Sequence, residues 1–127
     1  MKPLILAGIV SVVLALACYT MAFASEQRAR RISGAVLGLL VVGVVLDLSS
    51  ALFMIKGAQG SVLTPHGIVG FTALGIMVVL MALAARHRRR RGGAEVPAGL
   101  HAFFRIAYAL WVLAFLSGVA MVAAQAR

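Results

Sequence analysis

The chain has 127 residues, 63% of them hydrophobic and only 12% charged, where a soluble domain carries roughly 25% charged residues. A chain so short and so apolar cannot keep its surface from water by folding alone, which excludes a soluble globular domain and makes lipid its solvent. The net charge of +9 does not point to nucleic acid, because the 12 Lys and Arg fall almost wholly between apolar runs and leave no soluble module to hold a duplex.

Four apolar runs follow one another, at about residues 3–24, 32–55, 62–85 and 100–124. Each exceeds the ~20 residues that cross a ~30 Å hydrocarbon core as a helix. Backbone polar groups in lipid must be satisfied within the segment, so these runs predict helices. A barrel needs alternating strands of roughly ten residues, and none are visible. Lys2, a long apolar stretch and Ala22-Phe23-Ala24 before Ser25 imitate a cleaved signal peptide. The run is longer than a signal core of roughly 7–15 residues, and Arg28, Arg30 and Arg31 follow at once. It is read as a retained first helix. Cys18 lies within that run and is read as a small packing residue.

The connections, at about 25–31, 56–61 and 86–98, are short. Short connections make each helix antiparallel to the next, so the expected fold is an all-α, up-down four-helix membrane bundle forming one domain over 1–127. Orientation follows from Lys and Arg. The first and third connections hold Arg28, Arg30, Arg31, Arg86 and Arg88–Arg91, against Lys2, Lys56 and Arg127 on the other side. That asymmetry puts the arginine loops in the cytoplasm and both termini outside, in a bacterial-type inner membrane. Anionic lipid headgroups are the expected partners of those loops. Gly34 and Gly38 in helix two, and Gly67, Gly70, Ala73 and Gly75 in helix three, offer small faces for close packing. They suit packing within the bundle or a homo-oligomer.

Few polar residues interrupt the spans. Asp47 is the one acidic side chain within the four runs, about eight residues before the outer end of helix two and hence ~12 Å deep. A charge there is costly, so it must be neutral, paired or face a polar cavity. Ser50 and Met54 share its face, with Ser49 nearby. His66, just after Pro65, lies at comparable depth on the next helix, which makes an Asp47–His66 hydrogen bond geometrically available. Such a contact would pin two helices or relay a proton. At the inner start of helix four, His101, Arg105 and Tyr108 stand at i, i+4 and i+7, with Trp111 nearby. They read as an interfacial girdle with a snorkelling arginine, or as a site for a quinone head, haem propionates or another anion. His87, within the arginine run, is expected to be solvated.

A b-type haem held by two histidines needs both imidazoles at one depth. His66 near the outer surface and His101 near the inner cannot share one iron, whereas His66 and Met121 are at matched depth. No His, Cys, Asp or Glu shows zinc-ligand spacing on one helix. No Ser or Cys has a base and acid placed around it, so no catalytic residue is assigned.

The order of certain residues resembles the HsmA-type small four-helix membrane proteins, a largely uncharacterised family. The likeness runs the whole chain: Tyr19-Thr20 and Glu26, then Asp47 and Met54, then His66-Gly67, Gly70, Ala73 and Met77, and finally His101, Phe104, Tyr108, Trp111 and Gly118. The chain departs from that family where relatives often carry further histidines. Residues 33–38 and 77–82 hold none, which depletes any histidine-cluster cofactor site the resemblance implies. The leading expectation is a non-catalytic accessory or structural membrane subunit, in a larger membrane complex or a homo-oligomer. The alternatives are a haem- or quinone-binding electron-transfer protein and a proton-coupled transporter resting on Asp47.

Overall fold

The computed structural model describes residues 3–58 and 65–125, apart from the side chains of residues 4, 5, 54, 57, 58, 65, 66, 122 and 125. These residues form four helices: α1 (Pro3–Ala29), α2 (Gly34–Ala58), α3 (Pro65–Arg91) and α4 (Ala98–Gln125). Each contains a stretch long and apolar enough to cross a membrane: Leu6–Ala29, Gly34–Phe53, Gly67–Arg91 and Ala98–Met121. The chain is a small multi-pass membrane protein with the expected all-α bundle architecture. Each helix packs on its neighbour in sequence and α1 closes the ring against α4, with no close backbone approach across either diagonal among the described residues.

Every helix has one buried stripe at helical spacing. On α1 it is Ala15, Tyr19, Ala22 and Glu26; on α2, Val36, Leu40, Val44, Asp47 and Ser50. On α3 it is Ala73, Met77, Leu80, Ala84 and His87, and on α4, Phe104, Ala107, Trp111 and Ala114. Steps of three and four residues return the chain to one face of a 3.6-residue helix. The opposite faces are as apolar as the stripes: Val45, Leu52, Ile106 and Leu113 are all more than half exposed. A water-soluble protein does not tolerate such a surface, and lipid solvates it at no cost.

On α2, Gly43 faces a ring of α1 directly. A Cβ on Gly43 would lie 2.5 Å from the Tyr19 ring, so the aromatic ring rests directly on the α2 backbone. A Cβ on Gly38, Gly70 or Gly75 would meet open space. Those three glycines therefore do not make the tight contact within the bundle, whereas Ala73 is buried in its core.

At the arginine end, α1 and α3 run further than the apolar runs suggest, to Ala29 and Arg91 rather than to about 24 and 85. Helical hydrogen bonding continues past the hydrocarbon, and arginines in the last turn favour the negative end of the helix dipole. Each helix then stops on a left-handed residue, Arg30 at φ +55° and Gly92 at φ +57°. Their amides turn back to the carbonyls of Glu26 (2.7 Å) and Arg88 (2.9 Å), closing the last turns. The two short connections pair with each other. The Val96 amide donates to the Arg30 carbonyl at 2.8 Å, and Arg31 and Glu95 form an antiparallel bridge. The Arg31 guanidinium donates to the Gly93 carbonyl, and that of Arg88 to the Ile32 carbonyl at 3.0 Å. His87, expected in solvent, is buried on the inner stripe of α3 with Nε2 3.1 Å from the Ala94 carbonyl. Its position in the helical repeat outweighs its charged neighbours.

Candidate functional site

A series of polar side chains runs along α1, facing α2 on one side and α4 on the other. They form three groups at successive heights.

The deepest is built on Asp47, which the stripe of α2 turns inward to 9% exposure. Its Oδ2 accepts two hydrogen bonds, from the Tyr19 hydroxyl at 3.1 Å and from the Trp111 indole N–H at 2.8 Å. The two rings meet edge to face with centroids 4.8 Å apart, and Phe115 stacks on Trp111 at 5.7 Å. One carboxylate thus ties α2 to both α1 and α4. Tyr19 and Trp111 are almost wholly buried, so the carboxyl has an aromatic wall on two sides. One turn nearer the terminal end, the Ser50 hydroxyl donates to the Gly8 carbonyl at 2.7 Å, a second buried link between α1 and α2.

One turn towards the arginine end, the Thr20 and Tyr108 hydroxyls lie 2.7 Å apart. The Phe23 ring stacks on Tyr108 with centroids 4.4 Å apart and planes 8° from parallel. This is the middle rung between α1 and α4.

The third group is Glu26, Gln27 and His101. Glu26 lies seven residues after Tyr19 on the same stripe and is completely buried. Its Oε2 is 2.7 Å from His101 Nδ1, and its Oε1 accepts from Gln27 Nε2 at 2.6 Å. Gln27 also donates to the His101 carbonyl at 3.3 Å, so one glutamine braces both members of the pair. With Nδ1 directed at the carboxylate, Nε2 is the nitrogen left to exchange a proton or to take a further partner.

Several expectations change here. Asp47 bonds to α1 and α4, and neither serine beside it is its partner: Ser49 returns to the Val45 carbonyl and Ser50 to Gly8. The His66 side chain lies outside the described residues, and with it the expected Asp47–His66 and His66–Met121 pairs; Met121 itself is exposed on α4. Trp111 is a core donor rather than an interfacial edge, because it falls on the buried stripe with Phe104 and Ala107. His101 and Tyr108 bond towards α1 while Arg105 is exposed, so these three do not converge on one ligand. Cys18 is half-buried.

Glu26 is the residue missed: the short apolar run assigned it to a loop, leaving Asp47 as the only carboxylate within a span. Its signal was the seven-residue step from Tyr19, which keeps it on one helix face. Among the described residues no buried side-chain nitrogen or oxygen lacks a hydrogen-bond partner. Among them also, no group of three His, Cys, Asp or Glu is placed to hold a metal ion. No family model, curated protein or solved structure matches the chain.

Proposed function

We propose that this protein is a non-catalytic accessory or structural subunit of a membrane assembly. One observation carries the reading: both carboxylates of the bundle interior are engaged from neighbouring helices, Asp47 by Tyr19 and Trp111 and Glu26 by His101, with Gln27 of α1 bracing the second pair. Interhelical hydrogen bonds of this kind hold and register helices in lipid, where no hydrophobic force draws them together. The residues that make these rungs, Tyr19-Thr20, Glu26, Asp47, His101, Tyr108 and Trp111, are also among those that carry the HsmA-type resemblance. That coincidence supports placing the chain with those four-helix proteins. The excess of arginine at one end supports a cytoplasmic position for it, with both termini outside, in an inner membrane of bacterial type.

The test is purification in mild detergent with the lipid belt retained. The expected product is colourless and leaves the membrane with fixed membrane-protein partners or as a defined oligomer. A Soret band with sharp reduced α-bands, lost in His66→Ala or His101→Ala, would replace this reading by haem-based electron transfer.

A second reading, proton-coupled transport, has its own observation: Asp47, Tyr19, Glu26 and His101 place four proton-exchanging groups along one face of α1. Reconstituted vesicles with an internal pH dye test it. Proton flux that disappears in a folded Asp47→Asn variant would support transport over the accessory role.

A further inference from the structure

The five arginines of the α3 end are not equivalent: Arg89 is exposed and lies outside both arrangements that follow. Arg88 turns inward to cap the Ile32 carbonyl. Arg86, Arg90 and Arg91 line a groove of about 390 Å³ between the end of α3 and the start of α4. Leu83 on α3 and Leu100 and Phe103 on α4 give it an apolar part, and His87 lines it as well. The ion pairs among the described residues are Arg30–Glu95 and Glu26–His101, so these three guanidiniums carry no acidic partner.

Helical spacing makes the groove graded. Leu83, Arg86 and Arg90 lie at i, i+3 and i+7 on one face of α3, so the wall passes from apolar to cationic within ~10 Å of helix axis. Leu83 is also on the lipid-exposed surface, so the apolar part of the groove opens towards acyl chains. A soluble anion would use only the arginines, and an acidic peptide would find hydrocarbon-facing leucine at its lower edge. An anionic lipid satisfies both parts: phosphate oxygens on the guanidinium forks, and the first acyl methylenes on Leu83, Leu100 and Phe103.

We propose that this groove is a binding site for the phosphate headgroup of an anionic membrane lipid. It is distinct from the diffuse attraction of any basic loop to a charged bilayer, because it selects three of the arginines and adds an apolar part. It does not depend on what the buried polar rungs do.

The experiment measures phosphatidylglycerol binding to the full-length protein in neutral detergent, by native mass spectrometry and by thermal shift. Two variants remove equal charge: Arg86→Gln/Arg90→Gln/Arg91→Gln within the groove, and Arg28→Gln/Arg89→Gln/Arg105→Gln outside it. All six arginines are exposed, so both variants are expected to keep the helical circular dichroism of the parent. The groove variant should lose roughly 100-fold in affinity, about fivefold per arginine. The control should stay within about threefold of the parent, and phosphatidylcholine and glycerol phosphate should not saturate in the same range. Leu83→Ser should weaken the lipid with all arginines in place. Equal losses in the two triple variants would overturn the site in favour of diffuse charge. Tight binding of glycerol phosphate would make it a soluble-anion site, and displacement of bound lipid by an acidic peptide would make it a protein contact. If the groove triple variant does not fold, Arg90→Gln alone carries the same comparison against Arg89→Gln.

Discussion

Asp47 shows how much one side chain decides in a bundle held together in lipid. Its single Oδ2 takes two donors that cannot turn to solvent, since Tyr19 is 1% and Trp111 3% exposed. Asp47→Asn keeps an acceptor oxygen in place and should cost about 1 kcal/mol, as membrane hydrogen bonds average near 0.6 kcal/mol in measured cycles. Asp47→Leu strands two buried donors and should cost about 2–6 kcal/mol, at roughly 1–3 kcal/mol for each unsatisfied group. From the sequence alone leucine looks nearly as mild as asparagine, on the assumption that the partner can reach water; the burial of both donors removes that escape. Thermal unfolding in detergent ranks the variants, and Trp111, the only tryptophan, reports locally through its fluorescence. Equal stability of the leucine and asparagine variants would show that the two bonds contribute nothing. Gly43→Ala tests the same cluster from behind. A methyl placed against the Tyr19 ring must push it off its bond to Asp47, at about 1–3 kcal/mol of overpacking. Gly38→Ala, with open space around it, should be neutral.

At the scale of elements, the polar rungs explain how α4 is held in place. Its side-chain hydrogen bonds to α1 run through Tyr108 and His101 and that to α2 through Trp111, whose ring also meets Tyr19 of α1. Glu26→Gln should preserve a polar partner for His101, whereas Glu26→Leu removes the 2.7 Å contact of its half-buried imidazole with α1. The leucine variant should therefore lose more stability than the glutamine variant, and a crosslink between α1 and α4 should form less efficiently in it. Helix ends carry a separate prediction. Arg30 occupies a left-handed conformation that costs an L-residue roughly 1–2 kcal/mol. Its ion pair with Glu95 is exposed and worth at most about 1 kcal/mol. Arg30→Gly should thus raise the thermal midpoint, and a fall would mean that the arginine side chain contributes more than its exposure implies. These ends also show where sequence reading stops short. Hydropathy marks where the lipid ends, not where the helix ends, so α1 and α3 extend about a turn or more past the apolar runs. Glu26 and His87 were assigned to loops for that one reason.

For the whole molecule, the prediction is topological. A reporter active only outside the cytoplasm, fused after Arg127, should be active, and the same reporter inserted at residues 92–97 should be silent. The reverse pattern would overturn the orientation drawn from the arginine asymmetry. Neutralising Arg86 and Arg88–Arg91 should weaken the bias, because insertion reads Lys and Arg near the span ends. The variant has a second cost that charge counting does not include: Arg88 closes the Ile32 carbonyl across the two connections. Restoring Arg88 alone should recover stability without restoring the charge bias.

Membrane class, span number and helical form were legible in the sequence because each depends on local composition. Twenty apolar residues in lipid have one way to satisfy their backbone, whatever their neighbours. Which face of each helix points inward was not legible from hydropathy, because the lipid-facing side is as apolar as the core and leaves no amphipathic signal. The inner face is marked instead by small and polar residues recurring at steps of three, four or seven, as in Tyr19, Ala22 and Glu26, or Ala84 and His87. Only the packing of four helices decided the partners of those residues. Asp47 could be recognised as a residue that needs a partner from its depth alone, but that the partners are Tyr19 and Trp111 depends on residues 28 and 64 positions away in the chain. The Tyr19 pairing follows from the packing of the consecutive helices α1 and α2, but Trp111 reaches Asp47 only because α4 closes the ring against α1, a contact between elements at opposite ends of the sequence that no local pattern encodes.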